Sequence, residues 1–234
     1  MKKAYILLTF ENQIAVMASA TEENYLKALL KLSGEKGECS VSELSKFLKV
    51  STPTANSMIK KLSEKKWINY EKYRPIQLTY LGKKMAGLVI RKHRLTEMYL
   101  VECMGFGWEE VHEIAEQVEH VKSDAFFNRM NELLGDPSVD PHGSPIPEKD
   151  GSIKRKKYVK LSEGNQGQKF RLTSLKNSSM DFLMFLNRRE IKLGLVLEIL
   201  SVESFDGSLV VTYDRHKKET LSQSVCDKLL VEAV

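Results

Sequence analysis

The hydrophobic period of this chain changes once, across a segment that can support neither a helix nor a sheet. Residues 136–151, DPSVDPHGSPIPEKDG, hold four of the six prolines, and each proline fixes φ and removes a backbone donor. Before this segment apolar residues recur at helical spacing. After it they fall in short runs, KYVKL, KFRLTSL, LVLEILSVE and SLVVTYD, broken by Gly164, Gly167, Gly194 and Gly207, with DFLMFLNRRE as the one helical insertion. The expected fold class is mainly α with a small β domain, the latter a β-barrel over 155–234. A chain of 234 residues is long enough for two or three small domains, each with its own core.

Thr21 caps a helix with Glu22 and Glu23 in its first turn, in which Tyr25, Leu26, Leu29, Leu30 and Leu32 repeat until Gly34 and Gly37 end it. VSELSKFLKVSTPTANSMIKKLSEKKWI then reads as two helices about a turn at Val50-Ser51. Ser42 caps the first, which buries Leu44, Phe47 and Leu48. Pro53 sits in the first turn of the second, which buries Ala55, Met58, Ile59 and Leu62. INYEKYRPIQLTY adds two short strands around Arg74-Pro75, which makes the unit a winged helix-turn-helix. Thr79 caps a long helix that runs towards Cys103 and breaks at Gly105-Phe106-Gly107. Two further helical segments follow, Trp108 to His120 and Ser123 to Leu134, the second with Phe126, Phe127, Met130 and Leu133 on one side. The division is an N-terminal extension (1–20), the winged unit (21–90), a helical domain (91–136), a proline-rich linker (137–154) and the β domain (155–234).

Charge is distributed unevenly. Residues 41–100 carry thirteen Lys/Arg against four Asp/Glu, and residues 101–150 carry three against twelve. The basic winged unit suits a polyanion, and a protein-docking role for it is the alternative. The N-terminal end of the second helix offers Ser51, Thr52, Pro53, Thr54, Asn56 and Ser57, short groups able to reach base edges and phosphates. Lys60, Lys61, Lys65 and Lys66 flank it, and Tyr73 and Arg74 stand at the wing tip. Three widely spaced cysteines with no CxxC pair speak against a disulfide framework or a structural zinc site and for a reducing, cytoplasmic setting. The apolar run at the start is interrupted by Glu11, Asn12 and Gln13, which argues against a secretion signal, and no stretch approaches the ~20 apolar residues of a membrane helix.

The acidic half contains HEIAEQVEH, 112–120. At about 100° per helical residue, His112, Glu116, Glu119 and His120 share one face, opposite Val111, Ile114, Ala115, Val118 and Val121. A solvated polar face is the simple explanation. Two features favour a divalent metal: no Lys or Arg interrupts this face, and His93 and Glu97 stand at i, i+4 upstream. Carboxylate and imidazole without thiolate suit manganese or ferrous iron, although zinc and cobalt can occupy such sites. A metallohydrolase fits poorly, since both halves of the segment miss one histidine of the paired-histidine zinc motifs.

The order of these parts resembles the diphtheria-toxin-repressor family of metal-dependent transcriptional regulators, from Thr21 to the C-terminus. The resemblance is carried by RKHRLTE (91–97), HEIAEQVEHVKSD (112–124), VSTPTANSMIKKL and INYEKYRPIQLTYLGKK, the last similar to the manganese-responsive branch. It implies a homodimer that binds a palindromic operator when loaded with Mn(II) or Fe(II), two ions per subunit, and represses metal-uptake genes. It also implies that 91–136 serves dimerisation and metal sensing and that the C-terminal barrel is SH3-like. By position, a primary site takes Asn24, Glu116, Glu119 and His120, and an ancillary site takes His93, Glu97 and His112, with Asp181 the barrel-domain candidate for a further ligand. Glu116 stands where iron-type members have Cys. Asn24 replaces the usual Met or Asp, and Lys27 stands where two-metal manganese members have a second carboxylate, which argues against a close dinuclear site. A metal-independent winged-helix regulator and a metal-dependent hydrolase are the alternatives.

Overall fold

The computed structural model describes residues 18–34, 36–72, 74–154 and 156–234, so most of the N-terminal extension and Tyr73 lie outside the described residues. The chain forms two compact units. Unit 1 is drawn from Met1–Thr96, Ala115–Leu133 and Ile146–Lys154, and unit 2 from Glu97–Ile114, Leu134–Pro145 and Arg155–Val234.

Unit 1 begins with helix α1 (Ala20–Ser33), capped by Ser19 rather than Thr21: Ser19 Oγ accepts from Glu22 N, and Glu22 Oε2 accepts from Ser19 N at 2.8 Å. The same reciprocal box opens α2 (Val41–Leu48), where Ser40 pairs with Glu43 and Ser42 lies inside the helix. In both places the Ser-x-x-Glu spacing selects the cap, because only a carboxylate three residues on can reach back to the cap's own N–H. Ser51 caps α3 (Thr52–Glu64), with Pro53 in its first turn. β2 (Ile68–Asn69) and β3 (Ile76–Leu78) form the wing, and β1 (Glu38–Cys39) joins as a third strand in the order β1-β3-β2, all antiparallel. The core holds Leu26, Leu29, Leu44, Ile59, Leu62 and Trp67. Phe47, expected inside, is 43 % exposed and lies under the Lys31 ammonium, 5.4 Å from its ring centre.

Thr79 Oγ1 accepts from Gly82 N at the start of α4 (Tyr80–Met104). α5 (Val111–Val118) and α6 (Asp124–Leu133) follow. α4 and α5 each run through both units. On α6, Phe127 and Met130 are buried, while Phe126 and Leu133 are exposed.

The proline-rich segment is ordered. Its 146–154 part packs in unit 1, where Arg91 Nη1 donates to Pro147 O at 2.6 Å and Gly151 presses its backbone against Gly87. Its earlier part belongs to unit 2, with a bridge between Val139 and Pro145 and with Asp140 and His142 both buried.

The rest of unit 2 is a six-stranded antiparallel sheet in the order β4-β9-β5-β6-β7-β8. Its strands are β4 (Val159–Lys160), β5 (Lys169–Leu175), β6 (Val196–Val202), β7 (Leu209–Tyr213), β8 (His216–Leu221) and β9 (Leu229–Ala233). Helix α7 (Met180–Asn187) is the helical insertion, and the short α8 (Gln223–Cys226) precedes β9. Leu172, Leu183, Leu186, Leu197, Val211 and Val231 are among the buried residues of this core. The fold is therefore mainly α with a small β domain.

Candidate metal centre and nucleic-acid interface

α3 presents a polar N-terminal end because its cap and first turn carry no large apolar group. Ser51, Thr52, Pro53, Thr54 and Ser57 are exposed and Asn56 is half-buried, while Ala55, Ile59 and Leu62 hold the other face in the core. Lys60 and Lys66 are exposed. Lys61, also exposed, and the half-buried Lys65 both pair with Glu22 on α1, with Nζ to Oε1 distances of 3.2 and 2.7 Å. Lys65 also lies over the Trp67 ring. On the wing, Arg74 is exposed and pairs with Glu71 at 3.1 Å.

The polar face of 112–120 is split between two clusters. The first lies in unit 1. Glu119 is wholly buried; its carboxylate takes Lys27 Nζ at 2.6 and 2.9 Å and His93 Nδ1 at 2.6 Å. Burial alone would raise its pKa, but the His93 hydrogen bond and the Lys27 charge hold it below the ordinary carboxylate range. Glu116, half exposed, is 3.5 Å from the same ammonium. His120 Nδ1 bonds Glu23 at 2.6 Å, leaving Nε2 3.6 Å from Glu119 Oε1. Lys122 pairs with the other Glu23 oxygen. α1 thus reaches the cluster through Glu23 and Lys27. Asn24 is half-buried between them, and its side chain makes no hydrogen bond to the described residues.

The second cluster lies in unit 2. Glu97, Asp140 and His142, all buried, offer ligand atoms within 4.8 Å of one another, and His112 Nδ1 is 3.2 Å from Glu97 Oε1. Asp140 Oδ1 accepts from the backbone N–H groups of His142 and Ser144, both at 2.9 Å, which fixes the loop. His142 Nε2 lies 2.9 Å from Trp108 O. A carbonyl only accepts, so Nε2 carries the proton, and in the neutral ring Nδ1 presents its lone pair on the side of Glu97, 3.8 Å away. A carbonyl that accepts from the far ring nitrogen and so fixes the tautomer is the usual support of a metal-binding histidine. Burial would lower the His142 pKa, but the Glu97 and Asp140 carboxylates beside it raise it.

Asp140 and His142 are donors that the sequence does not announce, because the proline-rich segment reads as a linker. Asp181 is exposed on α7 and is not among the converging donors. Cys39, Cys103 and Cys226 are free. Among the described residues no helix is long and apolar enough to cross a membrane.

A winged helix-turn-helix, a helical segment with two carboxylate and imidazole clusters, and a small β domain define a DNA-binding regulator. Residues 17–76 match the model for the N-terminal DNA-binding domain of the iron-dependent repressors, residues 79–148 the model for their metal-binding and dimerisation domain, and residues 159–233 the FeoA domain. The iron-dependent repressor IdeR of Mycobacterium leprae is 27 % identical over 226 residues, 92 % of this chain and 97 % of that protein. The diphtheria toxin repressor of Corynebacterium diphtheriae is 32 % identical over 127 residues, 54 % of this chain and 56 % of its own. Among solved structures, a manganese-dependent transcriptional repressor in complex with manganese superimposes with a TM-score of 0.82 at 29 % identity, covering 91 % of this chain and 99 % of that one. ScaR with bound Cd2+ gives 0.76 at 31 % identity with the same coverage. The chain belongs to the iron-dependent, or diphtheria toxin, repressor family: it is a transcriptional regulator and not an enzyme.

Proposed function

We propose that this protein is a homodimeric repressor that binds a palindromic operator in response to Mn(II) or Fe(II). The observation that carries the metal dependence is the convergence of Glu97, Asp140 and His142, with His112 beside Glu97. The donor set fits a divalent ion: two buried carboxylates balance its charge, the His142 tautomer is fixed, and oxygen and imidazole donors without thiolate favour manganese or ferrous iron. A bound ion would neutralise Glu97 and Asp140 and tie α4, α5 and the 139–145 loop together in unit 2. His93 precedes Glu97 by one turn on α4, and Glu116 and Glu119 follow His112 along the α5 segment. Ordering these two helices therefore bears on the cluster that holds α1. Binding favours the DNA-competent arrangement in proportion to metal concentration over its dissociation constant.

The exposed Ser51, Thr52, Pro53, Thr54, Ser57 and Lys60 and the half-buried Asn56 on α3 would face the major groove, with Arg74 of the wing on the neighbouring backbone. Phe126 and Leu133, two turns apart and exposed on α6, suit a self-complementary contact. A two-fold dimer presents two recognition helices, which is why a palindrome is expected. The test is fluorescence anisotropy on a palindromic fragment from upstream of a metal-transporter gene, with Mn(II), with Fe(II) and with chelator. Tight binding only with metal supports the reading, and equal binding in all conditions favours a metal-independent regulator.

A further inference from the structure

The unit 1 cluster differs from the unit 2 cluster in already containing its cations. Glu23, Glu116 and Glu119 supply three carboxylates. Lys27 Nζ bonds both oxygens of Glu119 and lies 3.5 Å from Glu116, and Lys122 pairs with Glu23. Lys92, partly buried in the same unit, lies within the fields of Glu23 and Glu119. Charge is thus balanced. An ion and an ammonium cannot both sit against the two oxygens of Glu119: at contact distance their repulsion is of the same order as the attraction that would recruit the ion. Displacing Lys27, whose side chain is 20 % exposed and packed against a carboxylate that is 0 % exposed, would break a buried pair. The donors expected to form a primary site, Glu116, Glu119 and His120, are not among the converging groups of the described residues. The neutral amide of Asn24 adds no charge to recruit an ion.

We infer that Lys27 is the resident cation of this cluster, that its ammonium takes the place of a divalent ion between Glu116 and Glu119, and that the protein holds one metal ion per subunit where the family resemblance implies two. Lys27 is then the residue that sets metal stoichiometry. It ties α1 to the α5 segment through Glu119, so metal is bound at the Glu97 cluster alone. The rest of the donor set stays oriented for an ion: the Glu23 bond to His120 Nδ1 leaves Nε2 on the Glu119 side.

The inference rests on the proposed unit 2 site only for the total count, and the test separates the two. Equilibrium dialysis with Mn(II) on the full chain counts ions per subunit in the wild type, in Asp140→Asn/His142→Ala, and in that double variant carrying either Lys27→Gln or Glu116→Gln. Expected are one ion in the wild type, none in the double variant, and one regained on adding Lys27→Gln. An ion that persists in the double variant and is lost with Glu116→Gln overturns the inference. An ion that persists through both upholds it and instead sinks the unit 2 assignment. The proteins that retain Lys27 decide the matter even if Lys27→Gln fails to fold. Where Lys27→Gln does fold, its melting temperature should rise with Mn(II) in the double-variant background. A melting temperature indifferent to Mn(II) there counts against the inference.

Discussion

Glu22 Oε1 on α1 lies 2.7 Å from Lys65 Nζ at the end of α3, and the next residue, Glu23, lies 2.6 Å from His120. Adjacent carboxylates of one helical turn therefore hold α3 on one side and the polar cluster after α5 on the other. α1 is the mechanical joint of unit 1.

Loss of the Glu22 charge should loosen that joint. Burial pushes the Glu22 carboxyl up, but the ion pair with Lys65, the hydrogen bond from Ser19 N and the ion pair with Lys61 outweigh it and lower its pKa from the ordinary carboxylate value to about 2. A depressed folded-state pKa contributes stability that is complete above the unfolded value and is lost as pH falls through the folded one. Glu22→Gln should thus cost about 1–3 kcal/mol near neutrality, and the deficit relative to wild type should shrink as pH drops from the mid-4 range towards 2. Urea unfolding of both proteins across that range measures it.

The DNA surface divides by role. Arg74→Ala should weaken binding to specific and random DNA alike and reduce the salt slope by about one ion, as removal of a phosphate contact does. Asn56→Ala should alter preference between operators, at about 1–3 kcal/mol for the base pair it reads. Indistinguishable effects of the two on both kinds of DNA would mean that helix and wing are placed wrongly.

Asn24 sits in the position where a ligand is expected, yet Glu23 and Lys27 make the contacts. Asn24→Ala should leave manganese affinity and its coupling to DNA binding unchanged. Calorimetric titration checks this, and a loss of affinity would make Asn24 a ligand.

A Cβ added at Gly87 would come within 1.9 Å of Gly151 O. Gly151 has φ 82° and its own close approach to the α4 backbone at Lys84, so the neighbour cannot yield by a rotamer change. Gly87→Ala should destabilise unit 1 by about 1–3 kcal/mol, read as a drop in melting temperature. An unchanged melting temperature would show that the 146–154 segment is not held against α4.

Much of this architecture is legible in the sequence because it depends on local chemistry. The winged unit follows from apolar spacing and Pro53, and the helical-to-strand switch from the proline-rich break. The caps expected at Thr21 and Ser42 are correctable from sequence, since Ser19-Glu22 and Ser40-Glu43 both satisfy the capping-box spacing. Spacing shows that Lys61 and Lys65 lie on a polar face but not that a buried Glu22 on α1 pairs with both. Asp140 and His142 are hidden for a different reason. Their backbone pattern is that of a loop, and only the fold reveals that an Asx turn and the Trp108 carbonyl aim them at Glu97. The acidic context of His142, one of five histidines in the chain, is the available signal.

The most direct test of metal control is operator affinity as a function of Mn(II) concentration in the wild type and in His142→Ala, measured on the same palindromic fragment. Wild-type affinity should rise saturably with Mn(II), and His142→Ala should stay at the chelator-treated level across concentrations that saturate the wild type. A His142→Ala protein that keeps the full metal response at wild-type concentrations would contradict the assignment of the sensor to Glu97, His112, Asp140 and His142.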